Sequence, residues 1–209
     1  MSLTASIGAS KGTRALGEQG PREPSIFITG PVRSGKSRFA ERLAVERGGD
    51  VTYVATARID PDDREWAERI AHHAQRRPAH WRVVETARPG VPSLEAIARE
   101  AEATQTLVVD SFGTWLAALM GPGVDPRDLE RRAHAAADAL VAARAYAIVV
   151  GEEVGWGIVP EFPAGRLFRD VLGRAQQRLA AGSTRSYLAV AGFAVDLRAN
   201  GIAIEQSVR

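Results

Sequence analysis

The chain has 209 residues, 45% of them hydrophobic and 25% charged, which is the composition of a globular domain of ordinary to large size. Its formal net charge is only +2, and its arginines are scattered among acids, so composition does not support nucleic-acid binding. The absence of cysteine excludes disulfides and thiolate metal sites and fits a cytoplasmic location. No apolar run is long enough to predict a membrane span.

The N-terminal segment differs in composition from the rest of the chain. Residues 1–24 are rich in Ser, Gly, Thr and Pro and lack the apolar core of a signal peptide. We therefore predict a disordered extension over residues 1–24 and a single domain over residues 25–209.

Short apolar runs and helical patterns alternate through the first half of the chain. The predicted strands are 25–29, 51–55, 82–85 and 106–110, and the predicted helices are 38–47, 60–77 and 93–103. Gly48 and Gly49 end the first helix. Pro61 opens the second helix in its first turn, and Pro78 ends it.

The second half continues the alternation. Helices are predicted at 114–120, 125–144 and 166–181, strands at 145–150, 186–191 and 194–197, and a Gly-rich loop at 151–165. Strands that alternate with helices favour an α/β fold with a mostly parallel sheet that helices cover on both faces.

A phosphate-binding loop follows the first predicted strand. Gly30 to Ser37 reads Gly-Pro-Val-Arg-Ser-Gly-Lys-Ser and matches G-x-x-x-x-G-K-[ST] at every fixed position. Its glycines let backbone N–H groups point at phosphate oxygens, and the helix that follows directs its positive end at the same anion. The chain contains only two lysines, Lys11 and Lys36, and uses arginine at its other basic positions. A lysine at position 36 is therefore best explained by a chemical requirement of the phosphate-binding loop. The motif predicts a P-loop enzyme that binds a nucleoside triphosphate.

The motif also predicts a magnesium site. Lys36 is expected to reach the β- and γ-phosphates, and the Ser37 hydroxyl to bind Mg²⁺. Asp110 ends a buried predicted strand, where P-loop enzymes place a second acid that is associated with the metal. We predict Ser37 and Asp110 as the metal site.

Two adjacent histidines lie in the second predicted helix. At about 100° per residue, Trp66, Ile70 and His73 share one face, which favours an ordinary half-buried role for His73. His72 falls on a charged face instead. That face contains Glu65, Arg69 and Arg76. A neutral imidazole beside arginines can act as a nucleophile near phosphates, but a solvated surface histidine is commoner at such a position.

Several segments together resemble one family. These are Gly30 to Ser37, residues 53–57, the histidine segment 69–82, the Glu-Val-Gly loop 153–161 and parts of 166–180. They are similar to the bifunctional adenosylcobinamide kinase/adenosylcobinamide-phosphate guanylyltransferases. The resemblance extends from about Ser25 to Leu197, and its histidine and Glu-Val-Gly motifs are more specific than the P-loop alone.

The resemblance implies a RecA-like P-loop fold, a homotrimer and two reactions with Mg²⁺. The enzyme would phosphorylate adenosylcobinamide with ATP or GTP and then transfer GMP from GTP to adenosylcobinamide phosphate, through a guanylylated histidine that corresponds to His72. His72 and Lys36 are the implied catalytic residues. The implied nucleotide contacts are Gly30, Pro31, Val32, Arg33, Ser34, Gly35, Lys36, Ser37, Ala55, Thr56, Ala57, His73, Ala74, Gln75, Arg76, Glu85 and Asp110.

Two other functions compete with this one. In a single-reaction small-molecule kinase, His72 would be a surface residue. In a regulatory GTPase, Asp110-Ser-Phe-Gly113 would be the D-x-x-G motif. GTPases of that class read guanine through Asn-Lys-x-Asp, whereas the one asparagine here, Asn200, precedes Gly201.

Overall fold

The computed structural model describes residues 24–58 and 62–204. The predicted extension, except Pro24, and the predicted start of the second helix at 60–61 lie outside these residues. The strands are β1 (Ile26–Thr29), β2 (Val51–Ala55), β3 (Arg82–Glu85), β4 (Thr106–Asp110), β5 (Tyr146–Val150), β6 (Arg185–Val190) and β7 (Phe193–Asp196). The helices are α1 (Lys36–Arg47), α2 (Arg64–Gln75), α3 (Leu94–Glu100), α4 (Phe112–Ala118), α5 (Pro126–Val141), α6 (Pro163–Gly182) and α7 (Leu197–Asn200).

The described strands form one sheet in the order β3-β2-β4-β5-β1-β6-β7. Every neighbouring pair is parallel except β6 and β7. The prediction of a mostly parallel α/β sheet is therefore confirmed. Because β5 lies between β4 and β1, the loops that follow these three strands meet at one edge of the sheet, where α/β proteins bind ligands.

Two apolar layers cover the sheet, one on each face. Along β4, Leu107 and Val109 pack into one layer, while Val108 packs into the other, as the two-residue period of a strand requires. The first layer contains buried side chains of α3, α4, α5 and α6, and the second contains Ala40 and Ala44 of α1. Helices therefore cover both faces, as predicted.

Local capping moves several helix boundaries away from their predicted positions. α4 begins at Phe112 rather than 114, because the Ser111 side chain accepts from the Thr114 backbone N–H in a capping box. α6 begins at Pro163 rather than 166, since proline is tolerated in a first helical turn.

α7 was not predicted, and the preceding strand ends one residue earlier than expected. Asp196 caps this one-turn helix by accepting from the backbone N–H groups of Arg198 and Ala199. None of the helices in the described part of the chain has the length and apolar character that a membrane crossing needs.

The difference between buried and exposed valines provides a test of the core. Val171 of α6 is 0% exposed and Val45 of α1 is 57% exposed. We expect Val171→Ala to lower the free energy of unfolding by about 2 kcal/mol, since it removes buried methyl groups and leaves a cavity. The matched Val45→Ala should cost less than about 0.5 kcal/mol. Urea unfolding followed by circular dichroism measures both, and equal costs would contradict this core assignment.

Candidate functional site

The phosphate-binding loop connects β1 to α1 and has the backbone that its glycines predict. Gly30 has φ 154°, and a Cβ there would overlap the carbonyl oxygen of Ala189, so no side chain fits. Gly35, at φ 98°, is the N-cap of α1. The positive end of α1 is thus aimed at the loop, as anion binding requires.

Two polar side chains of this loop, Lys36 and Ser34, are buried. The Lys36 ammonium donates to the Pro31 carbonyl oxygen at 3.1 Å, which holds the side chain across the loop. The Ser34 hydroxyl is also buried, and its oxygen has no hydrogen-bond partner in the described structure. A buried hydroxyl without a partner is costly, and a phosphate oxygen would satisfy it.

Ser37 and Asp110 meet as the sequence predicts. The Ser37 hydroxyl donates to Asp110 Oδ1 at 3.2 Å, and the Tyr53 hydroxyl donates to Asp110 Oδ2 at 2.5 Å. Burial, followed by the Asp110 charge, raises the pKa of Tyr53, so this phenol stays protonated and remains a donor. The carboxylate is therefore held in one orientation beside the serine.

These residues fit Mg²⁺. Ser37 and Asp110 offer oxygen atoms, which this cation prefers, and Mg²⁺ bound with a nucleotide uses one or two carboxylates plus phosphate oxygens. Among the described residues no group of three or more His, Cys, Asp or Glu could hold a metal by itself. The donor set therefore suits a metal that arrives with a nucleotide rather than one held in an all-protein cage.

Two connected clefts open at this edge of the sheet. The first has a volume of about 630 Å³ and the second about 320 Å³, and Lys36, Ser37 and His73 line both. The first cleft is otherwise lined by Arg33, Ser34, Gly35, Arg38, Glu65, Glu68 and Arg76. The second is otherwise lined by Val32, Ala55, Ala57, Ile70, Ala74, Arg77, Glu85, Asp110, Ser111, Thr114, Glu152, Glu153 and Val154.

Most of the predicted nucleotide contacts line one of the two clefts, but Gly30, Pro31, Thr56 and Gln75 do not. Thr56 is fully buried, and its hydroxyl donates to the Ser111 carbonyl oxygen and accepts from the Ser111 N–H, each at 2.7 Å. Its side chain therefore supports the loop after β4 instead of reaching a ligand. Gln75 is exposed and lines neither cleft, and Pro31 contributes the carbonyl oxygen that holds Lys36.

His73 is half-buried, as predicted, but the face it shares with Ile70 lines the clefts rather than the core. Its Nδ1 lies 3.3 Å from the Arg76 guanidinium. Arg76 in turn pairs with Glu41 of α1 at 3.2 Å, which links α2 to the helix of the phosphate-binding loop. The helical wheel thus grouped Ile70 and His73 correctly, and the structure adds that their shared face borders the clefts.

His72 lies in α2, and its side chain is outside the described part of the structure. Its position on the helix follows from helical geometry. At about 100° per residue, position 72 falls between Glu68 and Arg76, about 40° from each. Both of these residues line the first cleft. Position 72 therefore belongs to the arc of α2 that borders the phosphate-binding loop.

Glu152, two residues beyond the end of β5, lines the second cleft, and the sequence analysis did not select it. Its carboxylate accepts from the Ser111 hydroxyl and, at 2.9 Å, from the Gly113 N–H. A Cβ at Gly113 would overlap this carboxylate, so a larger residue at 113 would displace the Glu152 side chain from its present position. Burial raises the pKa of Glu152, while the Ser111 hydrogen bond and the Lys36 charge oppose the rise. An acid two residues after a predicted strand was the available signal.

Arg77 was also missed. Its guanidinium lies 3.9 Å above the Tyr53 ring, and its buried Nε has no hydrogen-bond partner in the described structure. Tyr53 also stacks on the buried Trp81, with ring centroids 6.2 Å apart. Arg77 thus places a positive charge in the wall of the second cleft.

Comparison with known proteins decides the family. The model of the cobinamide kinase / cobinamide phosphate guanyltransferase family matches residues 26–197. The chain belongs to this family. It is 39% identical over 172 residues to the bifunctional adenosylcobalamin biosynthesis protein CobP of Pseudomonas aeruginosa, covering 82% of this chain and 96% of that protein. It is 38% identical over 182 residues to CobU of Escherichia coli K12, covering 83% and 99%.

Distant solved structures also match. One is a prototypical ATPase from the type III secretion system of pathogenic bacteria, with a TM-score of 0.46 and 13% identity. The match covers 87% of this chain and 60% of that chain.

Proposed function

We propose that this protein phosphorylates adenosylcobinamide and then transfers GMP from GTP to the phosphorylated product. The family membership supports both reactions. The observation that carries the proposal is the shared wall of the clefts, where Lys36 of the phosphate-binding loop lies with His73 of the histidine pair. The phosphate-binding loop and α2, the helix that contains the candidate nucleophile, therefore border the same space.

In the kinase step, the loop holds the triphosphate through its backbone N–H groups, and Lys36 stabilises the charge on the γ-phosphoryl group as it moves to the acceptor hydroxyl. Ser37 and Asp110 would hold Mg²⁺, which neutralises charge on the phosphates. The Ser34 hydroxyl, buried without a partner, is available to a phosphate oxygen.

In the guanylyl step, His72 would attack the α-phosphorus of GTP. A bond forms between an imidazole nitrogen and phosphorus, and the bond to the pyrophosphate oxygen breaks. The acceptor phosphate oxygen then attacks the same phosphorus and releases the histidine. Covalent catalysis divides one difficult displacement into two easier ones. Because the α- and γ-phosphorus atoms occupy different places along one nucleotide, nucleotide or acceptor must shift between the steps.

A specific contact weakens the GTPase alternative. In the D-x-x-G pattern of Asp110 to Gly113, the Gly113 N–H already donates to Glu152 instead of pointing at an open γ-phosphate position. A single-reaction kinase remains the second candidate, since the phosphate-binding loop alone would support it. The two are separated by whether GMP becomes attached to the protein.

The decisive experiment incubates the protein with Mg²⁺, GTP and adenosylcobinamide and identifies the corrinoid products by mass. We expect first the phosphate and then the GDP derivative. ATP replaces GTP in a parallel reaction to define the donor of the kinase step. Absence of both products, from a protein that is folded by circular dichroism, would overturn the proposed function.

We expect Lys36→Ala to remove both activities while leaving the fold intact. The reason is that one triphosphate cradle serves both steps, so each rate should fall below about a tenth of wild type. Lys11→Ala is the matched control, because residue 11 lies outside the segment that matches the family. If Lys36→Ala retained either activity with a normal spectrum, the cradle would not be shared.

We predict that His72, and not His73, becomes guanylylated. The test is GTP labelled at the α-phosphate, followed by denaturing electrophoresis of wild type, His72→Ala and His73→Ala. Wild type and His73→Ala should carry label that resists base and is released by acid, as expected of a phosphoramidate. Label that survives in His72→Ala but is lost in His73→Ala would reverse the assignment. An unlabelled wild type that still phosphorylates adenosylcobinamide would favour the single-reaction kinase.

We also propose that the protein is a homotrimer that acts in the cytoplasm, where ATP and GTP are available. The family resemblance motivates the trimer. Large apolar side chains are exposed on the loop before α6, including Trp156, Ile158 and Phe162, and could be covered by another subunit. Light scattering at micromolar concentration should give about three times the chain mass of 22.4 kDa. A mass equal to one chain would reject the trimer.

A further inference from the structure

Glu152 lies between the two halves of the phosphate site. β5 is flanked by β1 and β4, and Val150, its last residue, is in register with Ile28 and Asp110. Beyond β5 the chain stays close to the phosphate-binding loop, because the Glu153 N–H donates to the Gly30 carbonyl oxygen at 2.9 Å. Residue 152 therefore emerges between the start of that loop and the acid predicted to be associated with the metal.

The Glu152 carboxylate is oriented from two sides. The Ser111 hydroxyl and the Gly113 N–H donate to different carboxylate oxygens. The Gln176 side chain holds the backbone, because it donates to the Glu152 carbonyl oxygen and accepts from the Thr29 hydroxyl, each at 2.8 Å. A side chain that is fixed in this way loses little conformational freedom when a substrate arrives.

Transfer of a phosphoryl group to a hydroxyl requires a proton acceptor, and kinases commonly use a carboxylate. The other acids that line the second cleft already have partners. Asp110 accepts from Ser37 and Tyr53. Glu85 pairs with Arg88 at 2.5 Å. Glu153 accepts from the Gly155 N–H. Glu152, like Asp110 and Glu153, accepts only from neutral donors, which leave a carboxylate able to accept a proton. Asp110 is the predicted metal ligand, and the Glu153 carboxylate turns back to a backbone N–H of its own loop. Glu152 is therefore the acid of this cleft that remains for the acceptor hydroxyl.

We propose that the Glu152 carboxylate accepts the proton of the acceptor hydroxyl during phosphoryl transfer. This inference rests on the proposed kinase function. The hydroxyl oxygen forms a bond to the γ-phosphorus, and the bond between that phosphorus and the β–γ bridging oxygen breaks. The nucleoside diphosphate leaves with the bond electrons, and the hydroxyl proton passes to Glu152, which later returns it to water.

The surroundings of Glu152 suit this role. Glu152 lines the second cleft together with Lys36, Ser37 and Asp110. The part of the acceptor that carries the hydroxyl would therefore lie close to both the phosphate site and the Glu152 carboxylate when it enters this cleft. Burial raises the pKa of Glu152 and strengthens it as a base. A cleft of about 320 Å³ is at the small end of ligand sites, which suits the hydroxyl-bearing arm of a large acceptor.

Glu152→Gln separates proton acceptance from positioning. The glutamine oxygen can accept from the Gly113 N–H, and its NH₂ group can donate to the Ser111 hydroxyl, which is also an acceptor. Both contacts therefore persist while basicity is lost. We expect kcat of the kinase step to fall about a hundredfold, with KM for nucleotide and acceptor changed less than about threefold. Glu161→Gln, in the exposed part of the same loop, is the matched control and should behave as wild type.

Four results would overturn the inference. Glu152→Gln with kcat within about threefold of wild type would exclude proton acceptance. A lower kcat together with higher KM and lower thermal stability, reproduced by Glu152→Ala, would assign a positioning role. A wild-type protein that forms no phosphorylated corrinoid would reject the kinase function and this inference with it. A Glu161→Gln variant as impaired as Glu152→Gln would show that the effect is not specific to Glu152.

Discussion

The parallel register of β4, β5 and β1 is the constraint on which the site depends. It brings the end of β4 beside the phosphate-binding loop, so that the Ser37 hydroxyl reaches Asp110 at 3.2 Å across 73 residues of sequence. Alternating apolar side chains in these strands bury both faces of the sheet, which makes a shift of register by one residue costly. The same strand register therefore determines both the packing of the core and the geometry of the phosphate site.

Around that register, buried polar groups form a connected network. Tyr53 holds Asp110, Thr56 holds the backbone of Ser111, and Ser111 with Gly113 holds Glu152. Such networks are costly when one member is left unsatisfied and rigid when all are paired. The rigidity matters for function, because electrostatic stabilisation of a transferring phosphoryl group works best with groups already in place.

α2 has a different relation to the fold from the other long helices. Ala40 and Ala44 anchor α1 in the core, and α5 and α6 contribute many buried side chains, whereas no described side chain of α2 belongs to either buried layer. Its described contacts to the phosphate-binding helix include the Arg76–Glu41 pair. The described side chains of α2 therefore contribute to the lining of the clefts rather than to the core.

Local sequence determined the α/β class, the phosphate-binding loop with Lys36 and Ser37, and the position of Asp110 at the end of a strand, because these depend on short-range patterns of glycine, charge and hydrophobic period. The family motifs added the histidine pair. Tertiary structure decided what those patterns do not encode: that Thr56 is a support, that the Ile70–His73 face lines a cleft instead of the core, and that Glu152 shares that cleft with Lys36. The physical reason is that burial and hydrogen-bond partners arise from segments far apart in the chain, as when β5 places Glu152 against Gly113 across 39 residues.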